Sequence, residues 1–104
     1  MIRHIVMWKL KENAEGGTRA ENILKAKALL ESVKDCVPGI VGFEVGVATP
    51  GLDSNFDVML NSTFENEAAA HAYHVHPTHM AIKPFMSAVR QDRACVDFVI
   101  DDAR

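Results

Sequence analysis

An α+β fold of the ferredoxin-like kind, βαββαβ around a four-stranded antiparallel sheet, is what this sequence predicts, and three observations predict it. Segments of period-two and of helical hydrophobic spacing follow one another as strand, helix, strand, strand, helix, strand, the order of the split βαβ unit. The chain has 104 residues, 48% of them hydrophobic. That suffices for one core and not for two, so residues 1–104 read as a single domain. Apolar side chains also occupy both faces of the predicted strands, whereas one layer of helices covers one face only. The simplest cover for the other face is a second copy of the chain, a homodimer.

From Ile2 to Leu10, His4, Val6, Trp8 and Leu10 alternate with Arg3, Ile5, Met7 and Lys9, the pattern of a strand. Asn13 to Gly17 reads as a loop. Thr18, with Glu21 three residues on, makes a capping box for a helix starting at Arg19. Ile23, Ala26, Leu30, Val33 and Val37 form one apolar stripe along it, up to a stop at Pro38-Gly39. A second strand covers Ile40 to Ala48, with Val41, Phe43, Val45 and Val47 on one face and Gly42 and Gly46 on the other. Turn chemistry follows at Thr49-Pro50-Gly51 and Asp53-Ser54-Asn55. A third strand runs from Phe56 to Phe64, turning Phe56, Val58, Leu60 and Phe64 one way. Asn66 is placed to cap a helix through Tyr73, and His76-Pro77 breaks it because a residue before proline avoids helical geometry. Pro77 then opens another helix carrying His79, Met80 and Ile82, which Pro84 kinks or restarts. Ala94 to Ile100 closes as the fourth strand. On this reading Ile5, Met7, Met59, Cys95 and Val99 make up the apolar second face.

Composition removes several functions. There are 11 Lys and Arg against 14 Asp and Glu, a net charge of -3, so the basic footprint of a nucleic-acid binder is missing. The longest stretch free of those four residue types, Ala68 to Ile82, holds four histidines and a proline and is too short to cross a bilayer. The opening residues lack the apolar centre and small-residue cleavage site of a signal peptide, so a cytoplasmic protein without a membrane segment is expected. Cys36 and Cys95 are too few for a disulfide framework and fit no metal-knuckle spacing. No glycine-rich phosphate loop or nucleophile elbow is present, and no cofactor is expected.

Histidine is the compositional outlier: His71, His74, His76 and His79 crowd into nine positions around the single tyrosine, Tyr73. Three explanations stand side by side. His71 and His74 can lie on a solvated helix face while His76 closes one helix and His79 caps the next. The steps 71/74 and 76/79 can hold a metal, although Pro77 divides them and no Asp, Glu or Cys lies between to complete the shell, so no metal is expected. Or His79, Tyr73 and His4 meet in a gap between sheet and helices. There they supply a proton acceptor, a hydroxyl able to polarise a carbonyl, and an orienting imidazole. His79 would then sit in the first turn of its helix, where the dipole disfavours protonation.

The segments Ile2-Arg3-His4-Ile5-Val6, Pro38-Gly39-Ile40, Phe43-Glu44-Val45-Gly46 and, above all, Tyr73-His74-Val75-His76-Pro77-Thr78-His79 resemble the stress-responsive A/B barrel family, the Dabb domain. The resemblance runs from about Ile2 to Ile100. It implies a dimeric α+β barrel in which two four-stranded sheets pack face to face. In a plant polyketide cyclase of that family, the residues matching Tyr73, His79 and His4 by motif position carry an aldol cyclisation. The resemblance thus implies His79 as base, Tyr73 as carbonyl partner and His4 as a pocket residue, with Val6, Trp8, Ile23, Val58 and Leu60 lining a cleft for a small, largely apolar molecule. Helix one departs from that enzyme, offering Ile23, Leu24 and Ala26 where the cyclase has aromatic residues. Two rival readings stay open: a noncatalytic stress-response or structural dimer, in which His76 and His79 fix a helix junction, and a barrel monooxygenase.

Overall fold

A computed structural model describes residues 1–100. Its strands are β1 (Ile2–Leu10), β2 (Asn13–Ala14), β3 (Gly17–Thr18), β4 (Ile40–Val47), β5 (Val58–Phe64) and β6 (Arg90–Val99); its helices are α1 (Arg19–Glu31), α2 (Glu67–Val75), α3 (Pro77–Met80) and α4 (Lys83–Val89). Four strands form one antiparallel sheet in the order β4-β5-β1-β6, with the helices on one face, which is the ferredoxin-like α+β fold. The segment expected as a loop holds the small β2-β3 hairpin. Asn22, buried in α1, ties it down by donating to the Ala14 and Gly17 carbonyls.

β1 lies in the middle and alternates cleanly. His4, Val6, Trp8 and Leu10 are buried under the helices, while Ile5, Met7 and Lys9 point the other way. The capping box forms as its spacing requires: Thr18 Oγ1 accepts from the Glu21 backbone N–H and the Glu21 carboxylate accepts from the Thr18 N–H. These bonds hold the Glu21 carboxyl below its ordinary proton affinity. α1 stops at Glu31, short of Pro38-Gly39. Val33 and Val37 are nevertheless buried, because the turn that follows folds back onto the core. Gly39, at φ 91°, begins the return. A Cβ there would stand 2.7 Å from the Ala69 methyl, so glycine satisfies both the left-handed backbone and the close approach of α2.

The structure corrects expectations about faces and about where strands start. An irregularity between Ile40 and Gly42 puts Ile40, not Val41, on the core side, and Val41 is exposed. Phe56 precedes β5 instead of opening it. β6 starts at Arg90, and its pairing sets Cys95 opposite Val6 and Val99 opposite Ile2. Cys95 and Val99 therefore share the helix side with His4. The open face takes Ala94, Val96 and Phe98 beside Ile5, Met7 and Met59. No described helix is long and apolar enough to cross a membrane.

Candidate functional site

The helices cover β4, β5 and β1 and leave the inner side of β6 thinly covered, so a cavity of about 360 Å³ remains between β1, β6 and the histidine-bearing helices. Its floor is Val6, Trp8 and Leu60, its wall includes Tyr73, His74, His79 and Ile82, and His4 closes one end. Of the residues expected in a cleft, His4, Tyr73, His79, Val6, Trp8 and Leu60 meet here. Ile23 and Val58 do not line it. Ile23 lies two turns before Leu30, the α1 residue that reaches the cavity, and Val58 is sealed in the core between Trp8 and Val47.

Local chain chemistry places each group. Asn66 Oδ1 accepts from the Ala69 N–H and starts α2, which turns Tyr73 onto the sheet at 0% exposure. His76 ends α2 in extended geometry ahead of Pro77, and its Nδ1 accepts from the Thr78 N–H, so His76, and not His79, caps α3. Pro84, at the start of α4, restarts the chain as a separate helix. His71 is exposed.

His79 Nδ1 lies 3.2 Å from the His74 carbonyl, one of the last-turn carbonyls of α2 without an intrahelical partner. A carbonyl only accepts, so Nδ1 carries the proton and Nε2 is left with its lone pair. Burial is the largest cause lowering the His79 proton affinity below 6.5, with the nearby Lys83 charge acting in the same direction. Burial, and not the helix dipole expected at His79, does this, since α3 is only four residues long. The His79 ring lies against Tyr73 with centroids 4.3 Å apart. Among the described residues the Tyr73 hydroxyl is the buried side-chain polar atom with no hydrogen-bond partner. Burial pushes its proton affinity up, so the phenol stays a donor throughout the working pH range.

His4, 4% exposed, donates from Nδ1 to Asp97 Oδ1 at 2.5 Å, a pair made by the β1-β6 register that sets the two residues side by side. His74 stands edge-on to His4 with ring centroids 5.0 Å apart. Neither Asp97 nor an inward His74 was expected from the sequence; His74 was placed on a solvated face. The row from Ala70, which packs on the core, to His74 one turn later was the available signal. An acid inside the apolar run Cys95-Val96-Asp97-Phe98-Val99 was the other. Burial, then His4, lowers the His74 proton affinity, while Asp97 opposes them.

The ligand atoms of His4, His74 and Asp97 lie within 4.8 Å of one another, a two-imidazole, one-carboxylate set of the kind that binds zinc or ferrous iron. Two donors on one zinc ion stand about 3.3 Å apart at metal–ligand lengths of about 2.0–2.1 Å. The His4–Asp97 separation is that of a hydrogen bond, and the set as arranged is a histidine–aspartate pair flanked by a second imidazole.

The family model described as Stress responsive A/B Barrel Domain matches residues 2–100. Among solved structures, a dimeric protein of unknown function with a ferredoxin-like fold from Bacteroides fragilis is 27% identical, with 95% of each chain covered and a TM-score of 0.76. A Dabb family protein from Mesorhizobium loti is 26% identical, again with 95% of each chain covered and a TM-score of 0.63. The hydroxynitrile lyase of Passiflora edulis shares the fold at 18% identity and a TM-score of 0.74, covering 99% of this chain and 95% of its own. A comparison with curated proteins finds no match.

Proposed function

The chain belongs to the stress responsive A/B barrel domain family, and from that premise we propose that it acts as a cytoplasmic homodimer whose cavity binds a small, largely apolar carbonyl compound and moves a proton on it, as a cyclase or lyase does. One observation carries this reading. The buried Tyr73 hydroxyl lacks a partner and lies beside an imidazole whose Nε2 is unprotonated. An orphaned buried donor costs about 1–3 kcal/mol, and a ligand carbonyl oxygen is the group that would remove that cost. His79 Nε2 takes the proton from the carbon next to the carbonyl. The C–H electron pair becomes a carbon–carbon double bond, the carbonyl π pair moves onto the oxygen, and Tyr73 stabilises the resulting enolate. In a cyclisation the enolate carbon attacks a second carbonyl of the same molecule, a carbon–carbon bond forms, and the new alkoxide recovers the proton from His79. His4, oriented by Asp97, lines the end of the cavity and sets its polarity, with Val6, Trp8 and Leu60 as floor. In this scheme the protein works as olivetolic acid cyclase, a plant polyketide cyclase, does.

The homodimer draws on the open sheet face, where Val96 and Phe98 are 53% and 40% exposed, and on the dimeric state described for the Bacteroides relative. The two free thiols agree with a reducing compartment. The test needs no known substrate: exchange of the α-hydrogens of methyl levulinate in heavy water, followed by NMR. The protein should accelerate it. His79→Ala should reduce the acceleration about a hundredfold and Tyr73→Phe about tenfold or more, with dimer and melting temperature retained. No acceleration by the native protein, or loss confined to stability, overturns the reading in favour of a structural dimer.

A further inference from the structure

The mouth of the cavity carries charge that this chemistry does not use. Lys83, Arg90 and Arg93 all line it, and no carboxylate does, a local reversal of sign in a chain of net charge -3. Of the cations elsewhere, Arg3 Nε donates to Thr63 Oγ1, Arg19 Nε to the Leu10 carbonyl and Lys11 Nζ to the Ala88 carbonyl, and Lys25 sits over the Phe85 ring. Among the described residues none of Lys83, Arg90 and Arg93 has a carboxylate oxygen within 4.0 Å. The one such pair there joins His4 to Asp97, so the acid beside the cavity is already taken. Arg93 borders the Cys95 thiol.

We propose that the cavity selects oxo acids: the carboxylate sits among Lys83, Arg90 and Arg93, the hydrocarbon chain lies on Val6 and Leu60, and the ketone reaches Tyr73. This rests on the carbonyl-binding reading above and adds the anionic head. Three unpaired cations beside an apolar floor attract a carboxylate more strongly than the same charges do in open water, because low-dielectric walls concentrate the field. Arg90 and Arg93 also present guanidinium forks that match a carboxylate in two-point contact. The same cations act on the base. Lys83 depresses proton affinity at both His74 and His79, and Arg93 does so at His74. A bound carboxylate offsets the Lys83 contribution at His79, the smaller part of a shift that burial dominates.

Trp8, the single tryptophan, lines the cavity and reports occupancy by its fluorescence. Levulinate and its longer methylene homologues, each with its methyl ester, supply matched charged and neutral probes. The expected result is that the best acid binds at least about tenfold more tightly than its ester at low salt, with the preference shrinking as ionic strength rises. The combined variant Lys83→Gln, Arg90→Gln, Arg93→Gln should abolish that preference. If the combined variant fails to fold, each single variant should reduce the preference about threefold. An ester that binds as tightly as its acid, or a preference untouched by these substitutions, overturns the inference and leaves the carbonyl-binding reading standing. Failure of acids and esters alike to bind overturns both.

Discussion

The two faces of the one sheet are built on opposite terms. On the helix side, Leu10, Val58 and Phe64 are sealed by the chain's own helices, Val6 and Leu60 are buried beneath the cavity, and the sheet's polar groups there, His4 and Ser62, are hydrogen-bonded. On the other side no helix covers Ile5, Met7, Met59, Val96 and Phe98, which are half-buried or exposed, yet the strands and their hydrogen bonds are the same. The contrast separates what makes the fold from what the fold offers. The inner face supplies stability and houses the candidate chemistry, while the outer face supplies apolar area that only association can bury.

That division can be broken from the inside most forcefully. Leu60→Ala removes a fully buried side chain and should cost about 2–5 kcal/mol of stability, measured by denaturant unfolding at fixed protein concentration. A loss under about 1 kcal/mol would mean that the inner face does not carry the fold. Neighbouring residues on β6 sharpen the contrast next. Val96→Asp should weaken a dimer about a hundredfold or more, because it buries an unpaired carboxylate twice across a two-fold interface. Cys95→Asp, one residue away on the helix side, should leave sedimentation unchanged. Equal effects would contradict the β1-β6 register.

The smallest expected effect is that of pH. His74 and His79 bind protons less readily folded than at their ordinary value of 6.5, chiefly through burial. Between the folded and the ordinary value the unfolded chain holds more protons, so stability rises with pH across that window. It is complete above about 6.5 and declines as acid is added below it. A melting temperature that falls between about pH 7 and pH 5, and falls less in the His74→Gln, His79→Gln variant, is the expected outcome. An identical fall in the variant would place the acid-sensitive groups elsewhere.

Much of this was legible in the sequence, and the reasons differ by element. β1 was readable to its ends, since a strand buried on one face and half-buried on the other writes its alternation into the chain. The start of α1 was readable because a capping box is local chemistry. Its end was not, because Val33 and Val37 keep the burial period of a helix through a turn that is not helical. The first residues of β6, Arg90 to Arg93, carry no apolar pattern at a sheet edge. The faces of Cys95 and Val99 depend on pairing with β1, which is a tertiary fact. His79 and Tyr73 declared themselves through one motif, but Asp97 joins His4 only across a sequence separation of 93 residues, and no local spacing encodes such a meeting.

The breaks at His76-Pro77 and before Pro84 leave the cavity wall as pieces of 9, 4 and 7 residues. None is long enough to persist as a helix by itself. Each is ordered by the surface it rests on and by its neighbour: His79 Nδ1 is bonded to the His74 carbonyl, and the Ile82 N–H to the His79 carbonyl. The wall therefore turns two corners where α1 is a single rod, and at those corners it brings Tyr73 and His79, from different helices, ring against ring.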